Sequence, residues 1–203
     1  MTATECRFLV GLGNPGSRYA ATRHNVGFRV IERLWRLHGD GACACRRELE
    51  YQVARTEQGK VFMARPVGYM NLSGPPVREL MDYFGGSAQE LLVVYDDADL
   101  PLGTLRMRAR GSSGGHKGVA SVIEALGSQE FARLKIGIGR PGEPGDDIVH
   151  FVLAKPSVDE AELLAKAEED AADAAWRWIA EGTDRGMERV NRRRNARTQE
   201  GEL

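Results

Sequence analysis

The chain has 203 residues, a formal net charge of −1 at pH 7 and a pI near 6.5, and 42% of its residues are hydrophobic. This length and composition predict one folded domain with a sizeable core and exclude a chain that is disordered throughout. The balanced charge does not by itself indicate a nucleic-acid-binding protein, so any basic surface must come from local clustering of Arg and Lys. No apolar run approaches the ~20 residues of a membrane-spanning helix.

The cysteines bear on the cellular compartment. There are three, Cys6, Cys43 and Cys45, and the start of the chain lacks a secretory signal pattern. An odd number of cysteines without a signal predicts reduced thiols in a cytoplasmic protein. Cys43 and Cys45 lack a second pair of ligands, so no zinc site is predicted there.

Strand-like and helix-like segments alternate in the first half of the chain. Residues 8–10 form an apolar run typical of a buried strand, and apolar side chains recur at helical spacing over residues 26–37. Residues 49–55 and 60–65 predict two strands of a hairpin. Residues 75–84 predict a helix with proline in its first turn and glycine after its end.

The second half continues the alternation. Residues 91–95 are continuously apolar, which is typical of a strand covered on both faces. A half-exposed strand is predicted at 104–108, a helix at 119–126 and a further strand at 131–138. A capping box at 157–160 opens a long final helix.

These elements predict an α/β fold. We expect a single globular domain, residues 1–191, with three α/β/α layers around a twisted, mixed and largely parallel sheet, which the hairpin makes mixed. Residues 192–203 are charged and lack apolar periodicity, which predicts a disordered tail.

The loop after the first strand is rich in glycine. Gly11, Gly13 and Gly16 match the G-x-G-x-x-G pattern of dinucleotide-binding proteins. Pro15, however, disfavours a helical conformation for Asn14, so a helix cannot start on the middle glycine. The acidic residue expected at the end of a second strand is also missing. Dinucleotide binding is therefore disfavoured.

The same loop carries a candidate general base. His24 lies between the first strand and the first helix, at the sheet edge where α/β proteins bind ligands. Its imidazole can accept a proton from water, provided that a partner holds the other ring nitrogen. Asp96, at the end of strand 91–95, is the best candidate for that partner. Asp97 and Asp99 remain alternatives from the sequence alone.

Several segments together resemble one family. Residues 11–16, G-L-G-N-P-G, are followed by Tyr19 and by T-R-H-N at 22–25, and this stretch resembles the signature of bacterial-type peptidyl-tRNA hydrolases. Three further segments agree with that family: M-N-x-S-G at 70–74, D-x-x-D-L-P at 96–101, and G-G-H-N-G at 114–118, where Lys117 stands in place of Asn.

The resemblance implies an esterase that releases tRNA from peptidyl-tRNA by direct attack of water, with no metal, no cofactor and no Ser or Cys nucleophile. It implies that His24 is the general base, that Asp96 supports it, and that Asn71 positions water and substrate nearby. Asn14 would contact the first peptide group. An asparagine amide can stabilise an oxyanion, although Asn is also common in turns for backbone reasons alone. The alternative is a catalytically silent RNA-binding relative with the same fold.

The resemblance also implies contacts with the RNA. Tyr19 and Tyr69 would line a groove for its 3′ end, although Tyr69 fits core packing equally well. The loop with His116 and Lys117 would lie at the mouth of this groove. Arg108 and Lys135 match positions that grip the 5′ phosphate. The expected partner is thus peptidyl-tRNA, bound by a monomer that contacts no membrane.

Overall fold

Seven strands form one sheet at the centre of the molecule. The computed structural model describes residues 6–140 and 147–200, except for the side chains of 193–200. The strands are β1 (Cys6–Gly11), β2 (Ala44–Arg46), β3 (Leu49–Thr56), β4 (Gly59–Pro66), β5 (Leu91–Asp97), β6 (Leu105–Arg108) and β7 (Ala132–Gly137). Their spatial order is β2-β3-β4-β1-β5-β7-β6.

The middle of this sheet is parallel and its edges are antiparallel. β1 pairs in parallel with both β4 and β5, and β5 pairs in parallel with β7. The hairpin of β3 and β4 continues into β2 at one edge, and β6 closes the other edge antiparallel to β7. The predicted mixed α/β sheet is confirmed, with the parallel pairing confined to its four central strands.

Helices cover both faces and complete three layers. They are α1 (Val26–His38), α2 (Gly74–Phe84), α3 (Lys117–Leu126), α4 (Ile148–Leu153) and α5 (Val158–Glu200). α1 and α5 pack on one face, in a cluster that includes Leu92 and Val94. α2 and α3 pack on the other face, in a cluster that includes Val93 and Tyr95. β5 is therefore buried on both sides, as its apolar run predicts.

Glycines end or interrupt the helices. α2 and α3 stop at Gly85 (φ 73°) and Gly127 (φ 63°), which adopt the left-handed conformation that closes many helices. α5 is broken at Gly182, where φ is 74°. Within residues 6–140 and 147–200, no helix combines the length and apolar character needed to cross a membrane.

Two short elements differ from the sequence prediction. β2 has three residues and α4 has six, too few for either to show a periodic pattern. The backbone of α5 is helical through Glu200, over much of the segment predicted as a disordered tail. Residues 201–203 lie outside the described residues, and the domain boundary at 191 stays a prediction.

The start of α1 lies unusually close to the strand ends. A Cβ atom on Gly27 would lie 2.4 Å from the carbonyl oxygen of Val94, and one on Gly11 would lie 2.1 Å from the carbonyl oxygen of Gly27. Only glycine permits these approaches. They bring the turn before α1 against the carboxyl ends of β1 and β5, which is the sheet edge expected to hold a site.

Candidate active site

Three side chains from separate parts of the fold meet at this edge. His24 lies on the 3-10 turn Arg23–Asn25 just before α1, Asp96 lies on β5, and His116 caps the N-terminus of α3. Asp96 is buried at 3% exposure, whereas the side chain of His24 is 13% exposed. A buried carboxylate thus lies beneath an imidazole that solvent can reach.

His24 and Asp96 form the pair predicted from the sequence. His24 Nδ1 lies 2.8 Å from each oxygen of the carboxylate. Because an ionised carboxylate only accepts hydrogen bonds, Nδ1 carries the proton and Nε2 carries the lone pair. Nε2 has no partner among the described residues, so it is available to accept a proton.

His116 donates a second hydrogen bond to the same carboxylate. Its Nε2 lies 3.1 Å from Asp96 Oδ1, and its Nδ1 accepts the N–H of Val119 at 3.2 Å. Since Nδ1 accepts, Nε2 must carry the proton of a neutral ring. The family resemblance predicts for His116 only a place at the RNA groove, and no periodic or motif signal indicates its contact with Asp96.

The two imidazoles determine the charge of Asp96. Burial alone would raise the pKa of Asp96, but the positive charges that His24 and His116 carry when protonated, together with their hydrogen bonds, outweigh it and hold that pKa well below its usual value. Asp96 therefore stays ionised and acts as an acceptor.

The structure resolves which aspartate faces His24. Asp97 binds Lys135, with Oδ2 2.7 Å from Nζ, and Asp99 accepts the Nε of Arg140 at 2.9 Å. Residues 92 and 94 pack on the face that α1 covers, and the alternation along β5 places Asp96 on that same face.

A network of amides fixes Asn14 beside this cluster. The side chain of Asn25 accepts the N–H of Asn14 and donates to its carbonyl oxygen, both at 2.9 Å. Asn14 Oδ1 in turn accepts the N–H of Met70 at 2.9 Å. No partner of Asn14 Nδ2 occurs in the described part of the chain, so this nitrogen can donate to a ligand. Asn25 belongs to the T-R-H-N motif, but no sequence pattern indicates that it holds Asn14.

In the described part of the chain, Asn71, Tyr69 and Tyr19 form no hydrogen bond with the side chains of His24, Asp96 or His116. Asn71 is exposed on the 3-10 turn that begins at Met70, next to the residue held by Asn14. Tyr69 is 60% exposed, which argues against core packing. Tyr19 lies in the same loop as Asn14, and the guanidinium of Arg18 stacks on its ring at 4.4 Å.

The predicted cations differ in their surroundings. Lys117 is exposed in the first turn of α3, directly after His116, and Arg108 is exposed at the end of β6. Lys135 is half-buried and paired with Asp97, so its charge is already partly neutralised. Arg106 lies opposite Lys135 on the neighbouring strand.

One group of three metal-ligating residues occurs in the described part of the chain. The candidate ligand atoms of His24, Asp96 and His116 all lie within 4.8 Å of one another. A metal on His116 Nε2 would move its proton to Nδ1, which would then face the N–H of Val119, donor against donor. The hydrogen bonds of His116 therefore favour a proton over a metal at Nε2.

The loop at residues 11–16, which matches the dinucleotide pattern, lacks the geometry of a dinucleotide site. Asn14, between two of the motif's glycines, is tied to Asn25 and Met70. The helix begins only at Val26 and not on the glycines, so no helix N-terminus faces the place of a pyrophosphate.

Comparison with known proteins gives one consistent family. A family model described as peptidyl-tRNA hydrolase matches residues 8–199. The chain is 47% identical over 185 residues to the peptidyl-tRNA hydrolase of Syntrophomonas wolfei, covering 91% of this chain and 100% of that protein. It is 42% identical over 189 residues to the peptidyl-tRNA hydrolase of Aquifex aeolicus, covering 93% of this chain and 97% of that protein.

Solved structures agree with these sequence matches. The crystal structure of peptidyl-tRNA hydrolase from Acinetobacter baumannii matches with a TM-score of 0.83 at 28% identity, covering 94% of this chain and 97% of that one. Because the sequence and structural matches extend over nearly the full length of the chains compared, the chain belongs to the peptidyl-tRNA hydrolase family.

Proposed function

We propose that the protein hydrolyses the ester bond that joins a peptide, or an N-blocked aminoacyl group, to the 3′ end of tRNA, and so recycles tRNA during protein synthesis. The observation that carries this proposal is the His24–Asp96 pair, 2.8 Å apart at the carboxyl edge of the sheet, in a chain of this family. The reaction is carboxylic ester hydrolysis, and the compartment is the cytoplasm.

The chemical steps follow from the protonation of the pair. His24 Nε2 takes a proton from water while the water oxygen forms a bond to the ester carbonyl carbon. Asp96 keeps the proton on Nδ1 and stabilises the imidazolium. The tetrahedral intermediate then expels the 3′ oxygen of the RNA, which receives the proton from Nε2. The products are a free peptide carboxylic acid and tRNA.

Two asparagines support these steps. Asn14 Nδ2 is held in place and unpartnered, so it can donate to the peptide group or to the developing oxyanion. Asn71, on the neighbouring turn, supplies a second amide for the water and the substrate. The reaction uses no metal and no cofactor, which the proton-donating role of His116 Nε2 supports.

The surrounding residues bind the RNA. Tyr19 and Tyr69 stack on, or bond to, the 3′ end, and His116 and Lys117 lie at the mouth of the groove. Arg108 and Lys135, at the β6–β7 edge, contact the 5′ phosphate. The protein acts as a monomer.

The proposed activity is tested by incubating the protein with N-acetyl-aminoacyl-tRNA. We expect release of the N-acetyl amino acid and intact tRNA. Binding of the tRNA without release would instead identify a catalytically silent RNA-binding relative, and the proposal would be abandoned.

The role of Asn14 predicts a change in substrate choice. In Asn14→Ala and Asn14→Asp, the preference for N-blocked over free aminoacyl-tRNA should fall by at least about 10-fold. A site that hydrogen-bonds a peptide group rejects a free ammonium, and losing that bond removes the distinction. Both substrates are measured on each variant, with Asn191→Ala as the control, since Asn191 lies on α5 and its amide bonds to the backbone of Met107 on β6. An unaltered ratio would make Asn14 a turn residue only.

The cations predict changes in salt dependence. Arg108→Ala and Lys117→Asn should weaken tRNA binding and reduce the slope of log affinity against log salt by about one unit each. The reason is that binding releases one counterion fewer from the RNA for each phosphate contact that is lost. Lys135→Ala should have a smaller effect because Asp97 already pairs with Lys135. Turnover at saturating substrate should barely change for Arg108→Ala and Lys135→Ala.

These slopes are compared with that of Arg177→Ala. Arg177 is an exposed cation on α5, paired with Asp173 and remote from β6 in sequence. Its replacement should leave the slope unchanged. A slope that is also unchanged in Lys117→Asn would mean that Lys117 contacts no phosphate.

A further inference from the structure

Arg133 is a buried cation on β7 that the mechanism leaves unused. Its side chain is 1% exposed, and it lies opposite Arg108 on the β6–β7 ladder. Burial of a guanidinium is unfavourable unless hydrogen bonds compensate for the lost water. Its partners therefore indicate what the residue holds in place.

The guanidinium bridges two backbone segments. Nη1 donates to the carbonyl oxygen of Ser112 and Nη2 to that of Gln129, both at 3.3 Å, and the group lies 4.4 Å from the centre of the Phe131 ring. A Cβ on Gly111 would lie 2.9 Å from Nη1, so a glycine there lets the chain approach. Arg133 thus fastens the loop of residues 111–115 to the start of β7.

The glycine-rich loop, residues 111–115, requires contacts that limit its conformations. Gly111, Gly114 and Gly115 have φ values of 151°, 57° and 82°. Glycines of this kind carry high conformational entropy in the absence of fixed contacts. The bond from Arg133 to Ser112 is therefore well placed to limit the positions that the loop can take.

The loop leads directly to the catalytic cluster. The carbonyl oxygen of Ser113, next to the residue that Arg133 holds, accepts the N–H of His116 at 3.1 Å. His116 then donates to Asp96. Tyr95 packs edge-on against His116, with ring centres 4.8 Å apart. A short series of contacts thus joins Arg133 to the carboxylate that supports His24.

We propose that Arg133 is a positioning residue, which holds the glycine-rich loop so that His116 Nε2 stays aimed at Asp96. The double-mutant cycle that tests this role rests on the proposed ester hydrolysis. The NMR measurement that follows it needs no substrate and does not.

A double-mutant cycle tests the effect of Arg133 on kcat. Arg133→Met should lower kcat about as much as His116→Ala, by roughly 10-fold, because a misplaced His116 no longer bonds to Asp96. The double variant should be no slower than His116→Ala alone, since both changes remove the same interaction. Arg133→Lys, which keeps a donor and the charge, should recover part of the rate. If the reductions in kcat of the two single variants multiplied in the double variant, the proposal would be overturned.

Proton NMR of the imidazole N–H groups tests the position of His116 without any substrate. The Nε2–H signal of His116, assigned by its loss in His116→Ala, should shift or broaden in Arg133→Met and Arg133→Lys, while the Nδ1–H signal of His24 persists. Arg65→Met serves as the control and should leave both signals in place, because Arg65 lies on β4 and pairs with Glu32 and Glu50. An unchanged His116 signal in folded Arg133→Met would refute the positioning role, whereas absence of ester release by the wild type would refute only the proposed function.

Discussion

Replacing His24 with Ala is expected to lower kcat for ester release by about 10²–10⁴-fold, which is the usual contribution of a general base. The affinity for tRNA should stay within a few-fold of the wild-type value, because phosphate contacts and base stacking supply most of the binding. The two effects separate because, in the proposed mechanism, His24 Nε2 moves a proton during the reaction and supplies none of the contacts that hold the bound tRNA.

The measurement pairs single-turnover ester release with a direct binding assay on the same variant. His38→Ala is the matched control. His38 ends α1 and stacks on Trp176 with ring centres 3.6 Å apart, away from the cluster. That variant should keep its kcat. If His24→Ala kept most of its activity, His24 would not be the base.

Asp96→Asn is expected to preserve the fold and lower kcat by about 10²–10⁴-fold. The carboxylate accepts N–H groups from both His24 and His116. An amide has only one acceptor oxygen, so its NH₂ group would face one of these donors. Because His24 Nδ1 lies 2.8 Å from both carboxylate oxygens, the NH₂ group of an amide would face the N–H of His24 in either orientation. The pair relieves that conflict by changing the tautomer or the orientation of the His24 imidazole, and either change removes the lone pair of His24 Nε2 from its place.

Asp99→Asn controls for this substitution, since Asp99 is exposed and paired with Arg140. It should leave kcat unchanged, and circular dichroism should show the same fold for both variants. A normal rate in Asp96→Asn together with a reduced rate in Asp99→Asn would transfer the orienting role to Asp99.

The elements predicted correctly are those with strong local signals. The run at 91–95 is apolar on both faces and forms β5, and the prolines at 75 and 76 lie in the first turn of α2. The hairpin follows from two strand-like runs separated by a short turn. β2 and α4 were missed because each is shorter than the window over which periodicity can be recognised.

The contacts of the site were harder to predict than its members. The pairing of His24 with Asp96 follows from the convergence of strand ends. The choice among three aspartates, however, depends on which face of β5 Asp96 and Asp97 occupy, and on Asp99 lying in the turn beyond the strand. The bond from His116 to Asp96 joins the N-cap of α3 to the end of β5, and no sequence spacing predicts such a contact. The pairing of Lys135 with Asp97 likewise requires the register between β5 and β7.

The central claim is that water, activated by His24, attacks the ester carbon directly. Single-turnover hydrolysis in H₂¹⁸O with enzyme in excess tests it most directly, by mass spectrometry of both the products and the enzyme. Direct attack by water is expected to place one ¹⁸O atom in the carboxylate of the released peptide, and none in the 3′ hydroxyl of the tRNA or in Asp96. Unlabelled peptide together with labelled Asp96 would show that the carboxylate attacks the ester and would contradict the account.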